Sequence, residues 1–375
     1  MCATGWSGAQ CDACALGWAG AQCDTCASGW SGPQCSTCVG ENCASACRLV
    51  QKAEDYFDFS LHRFTAAGAK GRYGPTLSQC RLEYAGQPWL SSFFTTSLGK
   101  QYWTVPADGT YWVDMIGAKG GHGGTYQTRS KGARVQGAVQ LNRGDVLRLV
   151  VGQAGAASTE TGDNGVGSGG GGSFVVKYNG GTETLLFAAG GGGAVGNNYP
   201  PSTANGQAST EGSSGGGGFS GSGGRNGGGG GGAQGGSGGY GSTPGGQGSS
   251  CSYGCGGGGY FSNGGSNGCS SPSESDLYGR SWADGMTGGP GDTSRQPKAT
   301  NNAEGGFGGG AGVGHRAAGG GGYSGGGGDG GISSGGGGGS YAISSAVSVT
   351  KTSGYDEATA DGYIKIAREC TIPRP

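Results

Sequence analysis

Alternation of apolar and polar positions divides much of the chain into strand-like runs. Thr110–Ile116 sets Tyr111, Val113 and Met115 against Trp112, Asp114 and Ile116, the period of two expected of a half-buried strand. Similar runs at Gln101–Pro106, Ala133–Leu141, Val146–Gly152, Ser173–Tyr178, Thr184–Ala189, Ser340–Val349 and Tyr363–Ala367 predict further strands. Pro106-Ala107-Asp108-Gly109 and Asn142-Arg143-Gly144-Asp145 read as turns between them. No convincing helical period separates these runs, so they predict an antiparallel β-sandwich. A helical period precedes them: Leu49, Val50, Ala53, Tyr56 and Phe57 predict a short amphipathic connector.

Between the sixth and seventh runs the pattern stops. Residues 190–339 are too long for an ordinary loop and carry glycine runs such as Gly227–Gly232, Gly319–Gly322 and Gly335–Gly339. With 97 Gly among 375 residues, composition alone points to disorder; 7 Trp, 16 Tyr and 10 Phe oppose it, because disordered segments are poor in residues that bury area. Glycine forms neither helix nor sheet well, which leaves an extended left-handed helix of three residues per turn. Such helices packed side by side could pair every N–H and C=O between neighbours, since only glycine lets the axes come close enough. Phe219, Tyr240, Tyr253, Tyr260, Phe261, Phe307 and Tyr323 are expected to cover the outer faces of that array.

Residues 1–47 repeat with a period of twelve: Cys2, Cys14, Cys26 and Cys38 form one series, Cys11, Cys23, Cys35 and Cys47 the other. Each of the first three units encloses Gly-Trp-x-Gly, at Gly5-Trp6, Gly17-Trp18 and Gly29-Trp30. Glycines permit a tight reversal and the Trp gives a unit too small for a core something to pack, so Cys2–Cys11, Cys14–Cys23, Cys26–Cys35 and Cys38–Cys47 are the expected bridges. The units resemble the last disulfide loop of epidermal-growth-factor-like modules repeated in tandem. Zinc is the competing reading, through Cys11-Asp12-Ala13-Cys14 and its equivalents, but the unbroken recurrence gives no four-ligand grouping. No metal site is assigned.

Six cysteines remain, Cys43, Cys80, Cys251, Cys255, Cys269 and Cys370, which allow fifteen connectivities. Cys80–Cys370, clamping the ends of the strand-rich region, and at least one bridge among Cys251, Cys255 and Cys269 are the expected choices. Disulfides on this scale require an oxidising compartment, so the chain is expected to be extracellular, and the absence of a leader before Cys2 suggests a fragment of something longer. A net charge of −1 gives no basis for nucleic-acid binding, no stretch is long enough for a membrane span, and no N-glycosylation sequon occurs. His62, His122 and His315 lie in unrelated contexts, and the nucleophile-elbow matches at Ser237, Ser266 and Ser324 are what a Gly/Ser-rich chain yields by chance. Neither catalytic residues nor a cofactor are assigned.

Phe64-Thr65-Ala66-Ala67-Gly68 through Gly74-Pro75-Thr76 to Cys80, then Trp103-Thr104-Val105-Pro106, Gly117-Ala118-Lys119-Gly120-Gly121, Val150-Val151-Gly152-Gln153, Gly169–Gly172-Ser173-Phe174, Gly305-Gly306-Phe307 and Gly335–Gly339-Ser340-Tyr341 resemble the glycine-rich extracellular domain of the anaplastic lymphoma kinase and leukocyte tyrosine kinase receptors. The resemblance implies a jelly-roll-like β-sandwich with an inserted polyglycine-helix bundle. Ala67 stands where those receptors carry a cysteine, and their cysteine repeats follow the domain rather than precede it. The expected organisation is a cysteine array at 1–47, a linker at 48–63, a glycine-rich β domain at 64–370 with its polyglycine insertion at 190–339, and a tail at 371–375. The expected function is non-enzymatic: a structural subunit of a cell-surface filament or matrix that packs against copies of itself or neighbouring proteins. The alternative is a receptor ectodomain or adhesin that binds a protein or glycan.

Overall fold

A computed structural model describes residues 55–371 apart from 124–126, 159–165, 197–203, 250–252, 269–275, 292–302, 315 and 332. In the cysteine array it describes residues 4, 6–7, 13–14, 18–27, 30–31 and 35–38. The described part is mainly β, with antiparallel sheets and one short helix. The array contributes two-residue strands β1 (Trp6–Ser7), β2 (Ala13–Cys14), β3 (Trp18–Ala19), β4 (Thr25–Cys26), β5 (Trp30–Ser31) and β6 (Thr37–Cys38). They pair as β1–β2, β3–β4 and β5–β6, so each Trp lies opposite the cysteine that opens the next unit, as Trp18 does opposite Cys26. Cys14–Cys23 and Cys26–Cys35 are disulfides.

The larger sheets contain β7 (Leu61–Phe64), β8 (Phe94–Ser97), β9 (Lys100–Thr104), β10 (Gly109–Ile116), β11 (Arg134–Leu141), β12 (Val146–Val150), β13 (Ser173–Asn179), β14 (Thr182–Ala189), β15 (Tyr341–Ala342), β16 (Val347–Thr352) and β17 (Tyr363–Arg368). A five-stranded sheet runs β16-β11-β10-β17-β7 and a six-stranded sheet runs β15-β14-β13-β12-β9-β8. Both contribute to one core, in which Val113, Met115 and Ile364 of the first meet Trp103, Leu149 and Phe187 of the second. The alternation read in Thr110–Ile116 holds: Tyr111, Val113 and Met115 join this core, while Asp114 on the other face takes a bidentate bond from Arg134 at 2.8 Å. The run expected as one strand at Ser340–Val349 is two, with β15 on one sheet and β16 on the other; a turn at Ser344–Ser345 carries the chain between them.

The helix, Leu77–Glu83, lies where no helix was expected. Thr76 caps it through a capping box with Gln79, and its buried face presents Cys80 to Tyr84, Trp89 and Phe94 of the core. In the expected connector, residues 48–54 lie outside the described residues and 55–57 form a bend.

The pairing Cys80–Cys370 is not formed. Cys80 is a buried free thiol facing the aromatic core, whereas Cys370 begins β18 (Cys370–Thr371), which pairs with β6 of the array and places Cys370 opposite Cys38. Burial pushes the Cys80 thiol up to about 12, so it stays protonated. Cys255 is likewise free and fully buried. Cys38 is disulfide-bonded, to a partner outside the described side chains. Cys2, Cys11, Cys43, Cys47, Cys251 and Cys269 lie outside the described residues, and with them the expected pairing Cys2–Cys11 and the fourth unit of the array.

The glycine-rich segments carry neither helix nor regular strand, yet they are buried and hydrogen-bonded. Gly256, Gly257 and Gly258 donate in turn to Gly265, Gly326 and Gly309, three neighbours in three directions. Gly191 and Ala194 both donate to one segment, at Gly321 and Ala318, while Gly192 and Val195 both donate to another, at Ala118 and Gly121. The direction of bonding therefore repeats every three residues, unlike the two-residue repeat of a strand. The layer also extends beyond 190–339, because 117–121 and 166–172 belong to it: Gly170 donates to Gly192 and Gly169 to Ala311. It packs on the outer face of the six-stranded sheet, where Phe174, Val176 and Leu185 meet Tyr260, Trp282, Phe307 and Tyr323. Aromatic punctuation thus has two roles. Tyr260, Phe307 and Tyr323 are buried under the layer, whereas Phe219, Tyr240 and Phe261 stay exposed.

Candidate recognition surface

Two of the exposed rings share one neighbourhood. The chain reverses at Asn226-Gly227, both in the left-handed region with φ of 47° and 84°, which glycine and asparagine accept with little strain. Phe261 N–H donates to Gly227 O at 2.8 Å, which lays the Phe261 ring against this turn. On its other side Arg225 N–H donates to Gly239 O and Gly241 N–H to Arg225 O, bringing Tyr240 alongside. Tyr240 is 65% exposed and Phe261 50%.

The turns beneath are fixed by two hydroxyls. Ser262 Oγ donates toward Gly241 O at 3.0 Å and Thr243 O at 2.8 Å and also accepts from Gly229 N–H, while Ser324 Oγ accepts from Gly227 N–H at 3.0 Å. Phe261 rests edge-on against Tyr260, 5.0 Å between centroids. Around the rings lie the exposed pair Arg225 and Glu211, 3.8 Å apart, and the Asn263–Asp284 bond at 2.6 Å. Large rigid rings with few rotatable bonds, set among Gly, Ser, Asn and Arg, are the composition that protein-binding loops use.

Below this surface the layer is tied to the sheet by charge as well as packing. Lys100 Nζ donates to Trp282 O at 2.8 Å and sits 3.9 Å over the Trp282 ring, and burial pulls its ammonium down to about 8. Trp282 Nε1 donates to Glu183 at 2.7 Å, and Glu183 pairs with Arg148, whose guanidinium lies 3.8 Å over the Tyr178 ring. At a separate turn, that of Phe219, the buried Asp329 carboxylate accepts from the N–H groups of Gly217, Gly331 and Ser333. Burial raises its pKa above the usual carboxylate range, against those bonds, which lower it.

The histidines and serines singled out in the sequence make these contacts where they are described. His62 is enclosed by Phe64, Tyr84 and Trp89 at centroid distances of 4.7 to 4.9 Å, and burial holds it down at about 4. His122 is bonded through Nδ1 to Gly123 O, and His315 lies outside the described residues. Ser324 is one of the two pinning hydroxyls, and Ser237 and Ser266 contribute carbonyls to glycine neighbours. Among the described residues no group of His, Cys, Asp and Glu could hold a metal ion, and no helix is long and apolar enough to cross a membrane. Sequence reasoning placed Tyr240 and Phe261 on the glycine array but did not join them; the signal available was the pair of flanking turn sequences, Arg225-Asn226-Gly227 and Tyr240-Gly241-Ser242.

No protein-family model matches the chain. A stretch of 95 residues, 24% of the chain, is 35% identical to the leukocyte tyrosine kinase receptor of Mus musculus. That stretch spans 11% of the receptor, so the likeness is distant and partial.

Proposed function

We propose that the chain is an extracellular recognition module of the receptor-ectodomain or adhesin kind, which meets a protein ligand at the Tyr240/Phe261 surface. The observation that carries this reading is the presentation of two exposed aromatic rings on turns pinned from below by buried Ser262 and Ser324. A rigid ring loses little conformational entropy when a partner covers it, so such rings serve as anchors. The partial likeness to a receptor favours recognition over the filament-subunit reading. Disulfides in the array agree with an extracellular setting.

The same reading takes the domain to be of the glycine-rich type found in those receptors: a jelly-roll-like sandwich bearing packed polyglycine helices. The three-residue repeat of bonding directions along 191–195 supports it, because a left-handed extended helix has three residues per turn. The test is a binding screen of the full chain against arrayed extracellular proteins and glycans. Protein hits that the double substitution Tyr240→Ser with Phe261→Ser abolishes support the proposal. Hits that survive it, or hits confined to glycans, contradict it.

A further inference from the structure

Four strands end the two large sheets, β16 and β7 in one, β15 and β8 in the other. An edge strand offers unpaired backbone groups to any passing chain, and folded proteins blunt such edges with charge, bulges or brevity. β16 carries Lys351 and a register break opposite Gln136 and Ala138; β7 carries His62 and Arg63; β15 has two residues. β8, Phe94-Thr95-Thr96-Ser97, is uncharged and keeps unbroken register with β9.

Its turn is unusual as well. Ser97 pairs with Lys100, so β8 and β9 are joined by the two-residue loop Leu98-Gly99, with φ of 50° and 76°, the type I′ geometry. Asn is the common first residue of that turn, because a larger side chain in the left-handed region is strained. Leu98 nevertheless occupies it and is 81% exposed. Strain and apolar exposure at one residue have no compensation within the monomer. The segment that leads from the helix to β8 lines a groove of about 500 Å³ with Arg81, Ala85, Gly86, Gln87, Leu90 and Ser91, and Leu82 of the helix is 82% exposed.

We propose that β8 pairs antiparallel with β8 of a second copy about a two-fold axis at Thr95, joining the two six-stranded sheets into one. Hydrogen-bond alternation admits this register. Ser97 and Thr95 turn their backbone groups inward to β9, and Phe93 O accepts from Thr104 N–H, so Phe94 and Thr96 face outward. Phe94 of each copy then bonds Thr96 of the other, and the exposed Leu98 flanks the joined strands. Each copy meets the other through the same strand, so the contact is self-complementary and closes as a symmetric dimer. The strand carries no charge, and two identical copies meet without repulsion.

Sedimentation of the full chain over a wide concentration range tests this. The expected result is a reversible monomer–dimer equilibrium that Thr95→Lys weakens about tenfold or more by setting two ammonium groups at the axis. Leu98→Asn should act with opposite signs, raising Tm by about 2 °C through relief of strain while weakening the dimer about tenfold. Thr350→Lys on β16 should leave the dimer unchanged. A chain monomeric at every concentration, or a dimer insensitive to either β8 substitution, overturns the proposal. Binding at the Tyr240/Phe261 surface is measured separately and does not depend on the outcome.

Discussion

Around Trp103 the fold is held by side chains. The indole is fully buried, with Phe57, Phe59, Phe64 and Tyr111 at centroid distances of 6.0, 4.7, 5.9 and 6.5 Å. Around Gly257 it is held by backbone alone: the N–H donates to Gly326 O at 2.8 Å, the carbonyl accepts from Gly230 N–H at 2.9 Å, and an added methyl would overlap Gly320 O. One region excludes water with rings, the other with carbonyls and amides that leave no room for a Cβ. The sheet core can adjust to a changed side chain by repacking. Around Gly257 there is no side chain to move, so any added atom must displace backbone and break bonds to several segments at once.

That contrast sets the largest expected effect. Gly257→Val should cost more than about 4 kcal/mol and abolish the layer, measured by urea unfolding with Trp282 fluorescence; a tolerated valine would break the comparison. Trp103→Ala should cost about 3–5 kcal/mol in the same assay.

A smaller effect sharpens the aromatic side of the comparison. His62 stays neutral inside its cage, with its folded value at about 4 against an ordinary 6.5. Its depressed value means the associated stability is present above pH 6.5 and is lost as pH falls through 4, about 3 kcal/mol in all. Urea midpoints measured between pH 7 and pH 4 should show this loss, and His62→Phe should flatten it. The smallest change belongs to the surface: Tyr240→Ala and Phe261→Ala should each shift stability by about 0.5 kcal/mol or less, since neither ring is in a core. A large loss from either would make them structural and remove the basis for recognition.

The two regions also differ in how far the sequence reveals them. Strands such as Thr110–Ile116 and Ser173–Tyr178 announce themselves because the side chains that alternate are the ones that pack. β8 and β7 escape, since Phe94-Thr95-Thr96-Ser97 and Leu61-His62-Arg63-Phe64 are short edges with only one apolar partner each on the core side. The helix was signalled only by the Thr76/Gln79 capping box, and its buried Cys80 reads from spacing alone as a disulfide partner although it packs as an apolar side chain. In the glycine layer the sequence states that backbone must approach backbone, but the choice of neighbour for Gly257 or Gly191 depends on carbonyls far along the chain. For Tyr240 and Phe261 the sequence offers the turns at Asn226-Gly227 and Tyr240-Gly241 but not their meeting, which the bonds from Phe261 to Gly227 and from Gly241 to Arg225 set.

Native-state hydrogen exchange at Gly191, Gly192, Gly256, Gly257 and Gly320 tests most directly whether the layer is built from backbone bonds. The account expects these amides to be protected to the same degree as those of Val113 and Val135 in the sheet core. Exchange at the rate of an unstructured glycine chain, with the sheet amides still protected, would contradict it.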